Sequence, residues 1–259
     1  MRDAGLSRAI DAAGGIGELA RRIGIAQPSV SNWSRVPAQR VLAVESATGV
    51  SRNVLRPDLY IDLVPSEDAV DPLDAARAQE YALLATLLAS APSRALLERL
   101  AQLQVDTTSI GRAHAALAES ASRAIATKVE REYFDLFVGV GRGELLPYAS
   151  YYLAGFLNER PLSRLRDDLA VLGIERVEGN SEPEDHAATL CEIMAGFASG
   201  RFPASPAAQR AFFEKHVSRW MRRLFADLEK AEGATFYRAV GTLGRVFLEI
   251  ESEAFAFAD

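Results

Sequence analysis

DPLDAARAQEYALLATLLASAPSRALLERLAQL, residues 71–103, decides the fold class. Tyr81, Leu84 and Leu88 recur at three- and four-residue spacing, and Leu96, Leu97 and Leu100 supply a second stripe. That period lines apolar side chains along one helix face, so the stretch reads as a helical hairpin. The same spacing runs through nearly the whole chain. Alternating β-branched runs, the mark of half-buried strands, are missing. The expectation is an all-α protein.

Just before this stretch, Leu63-Val-Pro-Ser-Glu-Asp-Ala-Val-Asp-Pro72 carries two prolines and three acids and reads as a linker. It divides the 259 residues into a small helical domain at 1–61, a linker at 62–72 and a larger helical bundle at 73–259. Charge follows the same division. Residues 1–60 hold eight arginines against five acids, a balance of +3. Residues 61–259 hold 21 bases against 30 acids, a balance of −9. A mildly basic head on an acidic body points to two different partners. A single cysteine, Cys191, makes no internal disulfide. The first residues, MRDAGLSRAIDAAGG, lack the apolar run of a signal peptide, and Arg21-Arg22 has no apolar run behind it. No stretch reads as a membrane span. These features place the protein in the cytoplasm, with no membrane partner.

The head breaks into five short amphipathic pieces over residues 5–56. Leu6 and Ile10 share one face, and Ile16, Leu19, Ala20 and Ile23 form the next stripe. Gly24 stops that helix, and Pro28 suits the first turn of the next. Val30 and Trp33 point inward there, leaving Gln27, Ser29, Ser31 and Asn32 outside. A helix, a tight turn and a second helix with a polar face is the arrangement that reads the DNA major groove. Gln and Asn pair two-pronged with adenine, and Ser bonds base edges or phosphates. Arg35, Arg40 and Arg52 are candidate phosphate contacts. The stretches GIGELARRIGIAQPSVSNW and VPAQRVLAVESATGVSRNVLRPDLY resemble a Cro/YdaS-like helix-turn-helix domain over about residues 4–60. That resemblance implies double-stranded DNA as a partner. Relatives usually carry a few more, often basic, residues where only Ser34-Arg35 separates Trp33 from Val36. A module of +3 binds DNA weakly alone, so useful binding calls for a homodimer. The other reading is a small helical domain used for dimerisation or left over from a fusion.

Four blocks in the body carry a second resemblance. They are residues 71–103, then VEREYFDLFVGVGRGELLPYASYYLAGFLNERPLSRLRDDLAVLGI, then SEPEDHAATLCEIMAGF, and FFEKHVSRWMRRLFADLEKAEGATFYRAVGTLGRVFLEIE. In this order they resemble the TorD/DmsD family of cytoplasmic chaperones. The most specific parts are Tyr133-x-x-Leu136-Phe137, Pro147-x-x-Ser150-x-Tyr152, Glu182-Pro183-x-Asp185-His186 and His216-x-x-x-Trp220. The resemblance implies an all-helical body that binds the apo-form of a molybdoenzyme before cofactor insertion. Many such chaperones recognise the client's twin-arginine leader and delay its export. The PYASYYLAGFL block is similar to relatives that accompany formate dehydrogenases, so that enzyme's catalytic subunit is the named candidate client. An acidic domain with an apolar groove complements a leader, which is a basic segment followed by an apolar one.

By this resemblance, leader binding is carried to Asp185 and His186, with Glu182 beside them. Residues 181–186 also read as a helix start, with Ser181 and Glu184 forming a capping box around Pro183. Tyr148, Tyr151 and Tyr152 have polar tips suited to lining a groove. Phe137 reads as core, and His216 with Trp220 as a packed pair. Asp167-Asp168 and Glu249, Glu251 and Glu253 read as solvated charge.

No catalytic set accompanies these residues. His114, His186 and His216 lack metal-ligand spacing with Cys191. Gly139-x-Gly141-x-Gly143 has no strand before it and no Lys-Ser/Thr after it, so it reads as a turn and not a phosphate loop. An Asp185–His186 acid–base pair would have no nucleophile to serve. The reading is therefore not an enzyme, with no cofactor of its own. Its alternative is a transcription regulator whose body senses the client and whose head passes the signal to DNA.

Overall fold

The computed structural model of the chain describes residues 2–50, 52–56, 71–176 and 182–257. Among them every regular element is a helix, and one isolated antiparallel bridge joins Tyr148 to His186. The all-α expectation holds. Two compact units emerge, Met1–Ala69 and Val70–Asp259. The expected linker lies outside the described residues as far as residue 70. Its last two residues start a helix instead: the Asp71 side chain accepts from the Leu73 N–H at 2.8 Å, and Pro72 is the first helical residue.

In the first unit, α1 (Ala4–Ala13), α2 (Ile16–Arg22), α3 (Gln27–Ser31), α4 (Val41–Thr48) and α5 (Arg52–Leu55) surround one small core, with a 3-10 turn at Ala38–Arg40. Asp3 caps α1 by accepting from the Leu6 N–H at 2.8 Å, worth about 1 kcal/mol. Leu6, Leu19, Val30, Val36, Val41, Val44 and Leu55 are fully buried. Ile16, Ile23 and Trp33 pack half-buried at the edge. Gly24 adopts φ +71°, which lets the chain turn sharply between α2 and α3.

The second unit contains α6 (Pro72–Ala89), α7 (Arg94–Leu100), α8 (Ser109–Ser122), α9 (Ala126–Tyr133), α10 (Ala149–Ala154), α11 (Arg160–Val171), α12 (Ala187–Ala198), α13 (Pro206–Phe212), α14 (Met221–Lys230) and α15 (Phe236–Phe257). Its centre is α12, where nine of twelve residues are buried. The expected hairpin is not the packing unit. Helix α6 lies chiefly against α12, and α7 lies against α8. Helix spacing marks a buried face but does not say which helix covers it. The last helix, α15, packs on α14 and α8. Its start is held by carboxylates from far upstream. Glu132 accepts from the N–H groups of Thr235, Phe236 and Tyr237 at 2.7, 3.1 and 2.7 Å. Glu144 accepts from those of Glu232 and Gly233 at 2.8 and 3.1 Å. These bonds satisfy donors that a helix start leaves open, and negative charge there suits the helix dipole.

Two carboxylates depart from the solvated reading. Glu251 is almost fully buried. It accepts from Arg77 at 2.8 and 2.9 Å and from the Tyr81 hydroxyl at 2.9 Å, fastening α15 to α6. Asp168 is part-covered and holds both Lys215 and the His216 Nε2, each at 2.5 Å. An acid with both a cation and a hydrogen-bond donor to meet is kept inside, whatever its neighbours in sequence suggest. The glycine turn behaves as expected. Helix α9 runs on through a π-turn at Phe134–Val138 and stops at Gly139, φ +63°, where a Cβ would come within 2.1 Å of the Arg142 carbonyl oxygen.

Candidate functional site

Six body residues carry the client-binding expectation, and the structure divides them into two groups beside α10. The first group is a knot between the segment entering α10 and the segment entering α12. The Ala149 N–H donates to the Asp185 carbonyl at 3.0 Å, and the Ala187 N–H donates to the Pro147 carbonyl at 2.8 Å. The Asp185 carboxylate accepts from the Ser150 N–H at 2.7 Å, so it serves the first turn of α10. Helix α12 begins at Ala187 with His186 as its cap, the Nδ1 accepting from the Ala188 N–H at 3.1 Å. This corrects the capping box expected at Ser181 and Glu184. The helix starts later, because Asp185 and His186 are spent on backbone donors of two different helices. Ser181 itself lies outside the described residues.

Asp185 is 1% exposed and His186 7%. Burial pushes the His186 imidazole below its ordinary value, against the pull of Glu182 and Asp185. A neutral ring fits an acceptor role at Nδ1. The Tyr148 ring meets His186 edge-on at 5.0 Å, and its hydroxyl donates to Glu182. Burial, with Glu182 next, raises that hydroxyl well above the usual tyrosine value. Two buried oxygens in the knot, Ser150 Oγ and Asp185 Oδ1, have no protein partner among the described residues.

The second group holds Tyr151 and Tyr152. The Tyr152 hydroxyl donates to Asp227 at 3.1 Å, and its ring lies 5.4 Å from Trp220. Tyr151 accepts from Arg142 at 2.7 Å. They line a cavity of about 390 Å³ with Arg223 and Asp227, separate from the knot. His216 and Trp220 are both buried, and the indole N–H donates to the His216 carbonyl at 2.8 Å. Phe137 packs half-buried against Tyr133 and Tyr237, as expected of core.

Beside the knot lies a groove of about 400 Å³. Leu169, Ile174, Ile193 and Phe202 form its apolar surface. Four acids line it, Glu175, Glu182, Glu184 and Glu192, against Arg176 and Arg201. Glu184 is engaged by Arg166 at 2.8 Å and by Arg176 at 3.7 Å. Sequence reading found only Glu182 of this groove as a site residue. Leu169 and Ile193 each stand on an apolar helix stripe, but nothing in the sequence says that α11 and α12 bring them together. Glu251 did leave a signal: it stands between Leu248 and Phe255 on the buried stripe of α15.

In the head, all six candidate DNA contacts, Gln27, Ser29, Ser31, Asn32, Arg35 and Arg40, are exposed. Helix α3 is only five residues long. Ser31 Oγ turns back to the Gln27 carbonyl at 3.1 Å, and its own carbonyl accepts from Arg2 at 3.3 Å. Arg52 is held by Glu45 at 2.7 Å, so it is less available to phosphate than its sequence position implies.

Residues 103–226 match the family described as nitrate reductase delta subunit, and residues 6–64 match the family described as bacterial toxin YdaS. Relatives named chaperone protein TorD are similar to this chain. The one from Vibrio cholerae serotype O1 is 28% identical over 127 residues, 46% of this chain and 58% of that protein. The one from Aliivibrio fischeri is 27% identical over 134 residues, 48% of this chain and 62% of that protein. The match thus spans little more than half the length of these relatives. A Shewanella loihica relative of the same name is 25% identical over 209 residues, 73% of this chain and 97% of that protein. By sequence, then, this chain is similar to chaperones named TorD, and its head matches the family described as bacterial toxin YdaS.

Proposed function

We propose that the body is a cytoplasmic maturation chaperone that holds a molybdoenzyme precursor by its twin-arginine leader until the cofactor is inserted. The groove beside Glu182 carries this reading. Its Leu169, Ile174, Ile193 and Phe202 suit the apolar half of a leader, and its excess of glutamates suits the basic half. In this reading Glu182 touches the client directly. Asp185 and His186 act from beneath, holding the wall that presents Glu182 and Tyr148. Tyr151 and Tyr152 belong to a second contact region across α10. The test is retention of a synthetic twin-arginine leader by the full chain, with Glu192→Arg and Ile193→Glu as variants. Retention that both variants weaken is the expected result. A leader that fails to bind, or binds both variants equally, counts against the groove. Pull-down from cells containing a formate dehydrogenase catalytic subunit tests that client by name.

The exposed row Gln27 to Asn32, with Arg35 and Arg40 following, favours a second role for the head. In this reading it binds double-stranded DNA as a homodimer and reports the state of the client to a promoter. A gel shift on the chain's own promoter at low salt tests it. The expected result is a sequence-specific shift that Asn32→Ala abolishes. A head that shifts nothing, on a chain that still dimerises, is a dimerisation device instead.

A further inference from the structure

A second cavity in the body, of about 280 Å³, has the opposite character to the groove. Arg160, Arg164, Lys215, His216 and Arg219 contribute its polar lining, and Leu153, Pro161 and Leu165 are among its apolar lining. No acid lines it. Arg160 and Arg164 stand four apart on α11, so they share a helix face and repel. Arg219 joins them from the turn before α14. Arg160, Arg164 and Arg219 make no ion pair or hydrogen bond with any described residue. Lys215 is held by Asp168, which also takes His216 and is not among the lining residues of the cavity. Three guanidiniums with no ion-pair partner among the described residues therefore line one cavity where the domain as a whole is acidic.

The start of α11 adds to this field. Glu159 occupies the cap position without a side-chain hydrogen bond to the helix, and Arg160 and Pro161, its first two residues, are in the cavity wall. The positive end of a twelve-residue helix thus meets the arginine cluster. Planar guanidinium forks match phosphate oxygens two at a time.

We propose that this cavity binds a phosphate group, with Arg160, Arg164 and Arg219 as its ligands. The size suits one or two phosphates with a small attached group. Such a group reaches the site either on a free small molecule or on a lipid headgroup. The site is independent of the client groove and stands whether or not the groove takes a leader.

The test uses the full chain at about 0.15 M salt, where weak surface attraction is screened. One arm titrates inorganic pyrophosphate by calorimetry. The other sediments the chain with vesicles of phosphatidylcholine, with and without phosphatidylglycerol. Binding in the first arm identifies a soluble ligand. Binding only to the phosphatidylglycerol vesicles identifies a headgroup. In either case Arg164→Ala and Arg219→Ala each weaken binding about tenfold, while Arg94→Ala, in an exposed pair with Glu98, leaves it unchanged. All three positions are exposed, so the variants keep the parent's melting temperature without ligand. The proposal is overturned if neither probe binds at this salt, or if the cavity variants bind as well as the parent.

Discussion

The head and the body treat their polar motif residues in opposite ways. In the head, Gln27, Ser29, Ser31 and Asn32 stand outside a core that holds ten buried side chains among the described residues. In the body, Asp185 and His186 lie inside and serve backbone donors of α10 and α12. The difference is one of size. The described residues of the head form five short helices with little interior for polar groups, Arg56 with its 2.8 Å bond to the Val36 carbonyl excepted, so most of them face water or a ligand. The described residues of the body form ten helices, which have many starts to satisfy, and polar side chains near them are drawn in. A motif residue in a small domain is thus better evidence for contact than one in a large bundle.

The sharpest break of this comparison comes from Glu251, as deeply buried as Asp185. Glu251→Ala leaves Arg77, 15% exposed at its side chain, without its main partner, and should cost about 3 kcal/mol in urea unfolding. A loss under about 1 kcal/mol would mean that water reaches this pair freely. Next is Asp185→Ala, which strands the Ser150 N–H and should cost about 1–3 kcal/mol. If unfolding is unchanged while leader binding disappears, Asp185 is a contact residue and the contrast with the head fails.

A smaller effect concerns pH. Below its ordinary 6.5, His186 in the unfolded chain takes up a proton that the buried ring resists. Its contribution to stability is therefore full above about pH 6.5 and falls as the pH drops toward 5. His216, also depressed by burial, acts in the same direction. His114, raised by its hydrogen bond with Glu80, acts oppositely: its contribution is present below 6.5 and is lost as pH rises through its folded value. His186→Asn keeps a capping side chain and removes the titration, so its melting temperature should vary less between pH 7 and 5 than the parent's. The head contains no histidine and should show no such window. Its Glu18, drawn down to about 2 by hydrogen bonds from Arg21 and Arg22, titrates only in far stronger acid.

The least effect on folding is expected at the head's exposed row. Gln27→Ala and Asn32→Ala should change stability by less than about 0.5 kcal/mol. On DNA, each should weaken a specific complex by about 1–3 kcal/mol if it reads a base. A fall in melting temperature of several degrees without any change in a gel shift would make the row structural.

Much of the fold is legible in the chain because helix formation is local. Leu6, Leu19 and Val30, or Tyr81, Leu84 and Leu88, mark buried faces through a period that neighbours in sequence enforce. Gly24 and Gly139 mark stops because their backbone angles exclude side chains. The two family resemblances are also properties of the chain, carried by short motifs. Pairing is not local. That α6 lies on α12, that Glu132 and Glu144 secure the start of α15, and that Glu251 meets Arg77 all depend on segments about 90 to 175 residues apart meeting in space. The client groove and the arginine cavity are of the same kind. Their residues come from different helices, and each becomes a surface only after packing has selected which side chains face each other. The sequence by itself determined the helices, their buried faces and the two family resemblances; tertiary structure alone decided which polar residues are spent on joints and which stay open to a partner, because burial belongs to the packed whole.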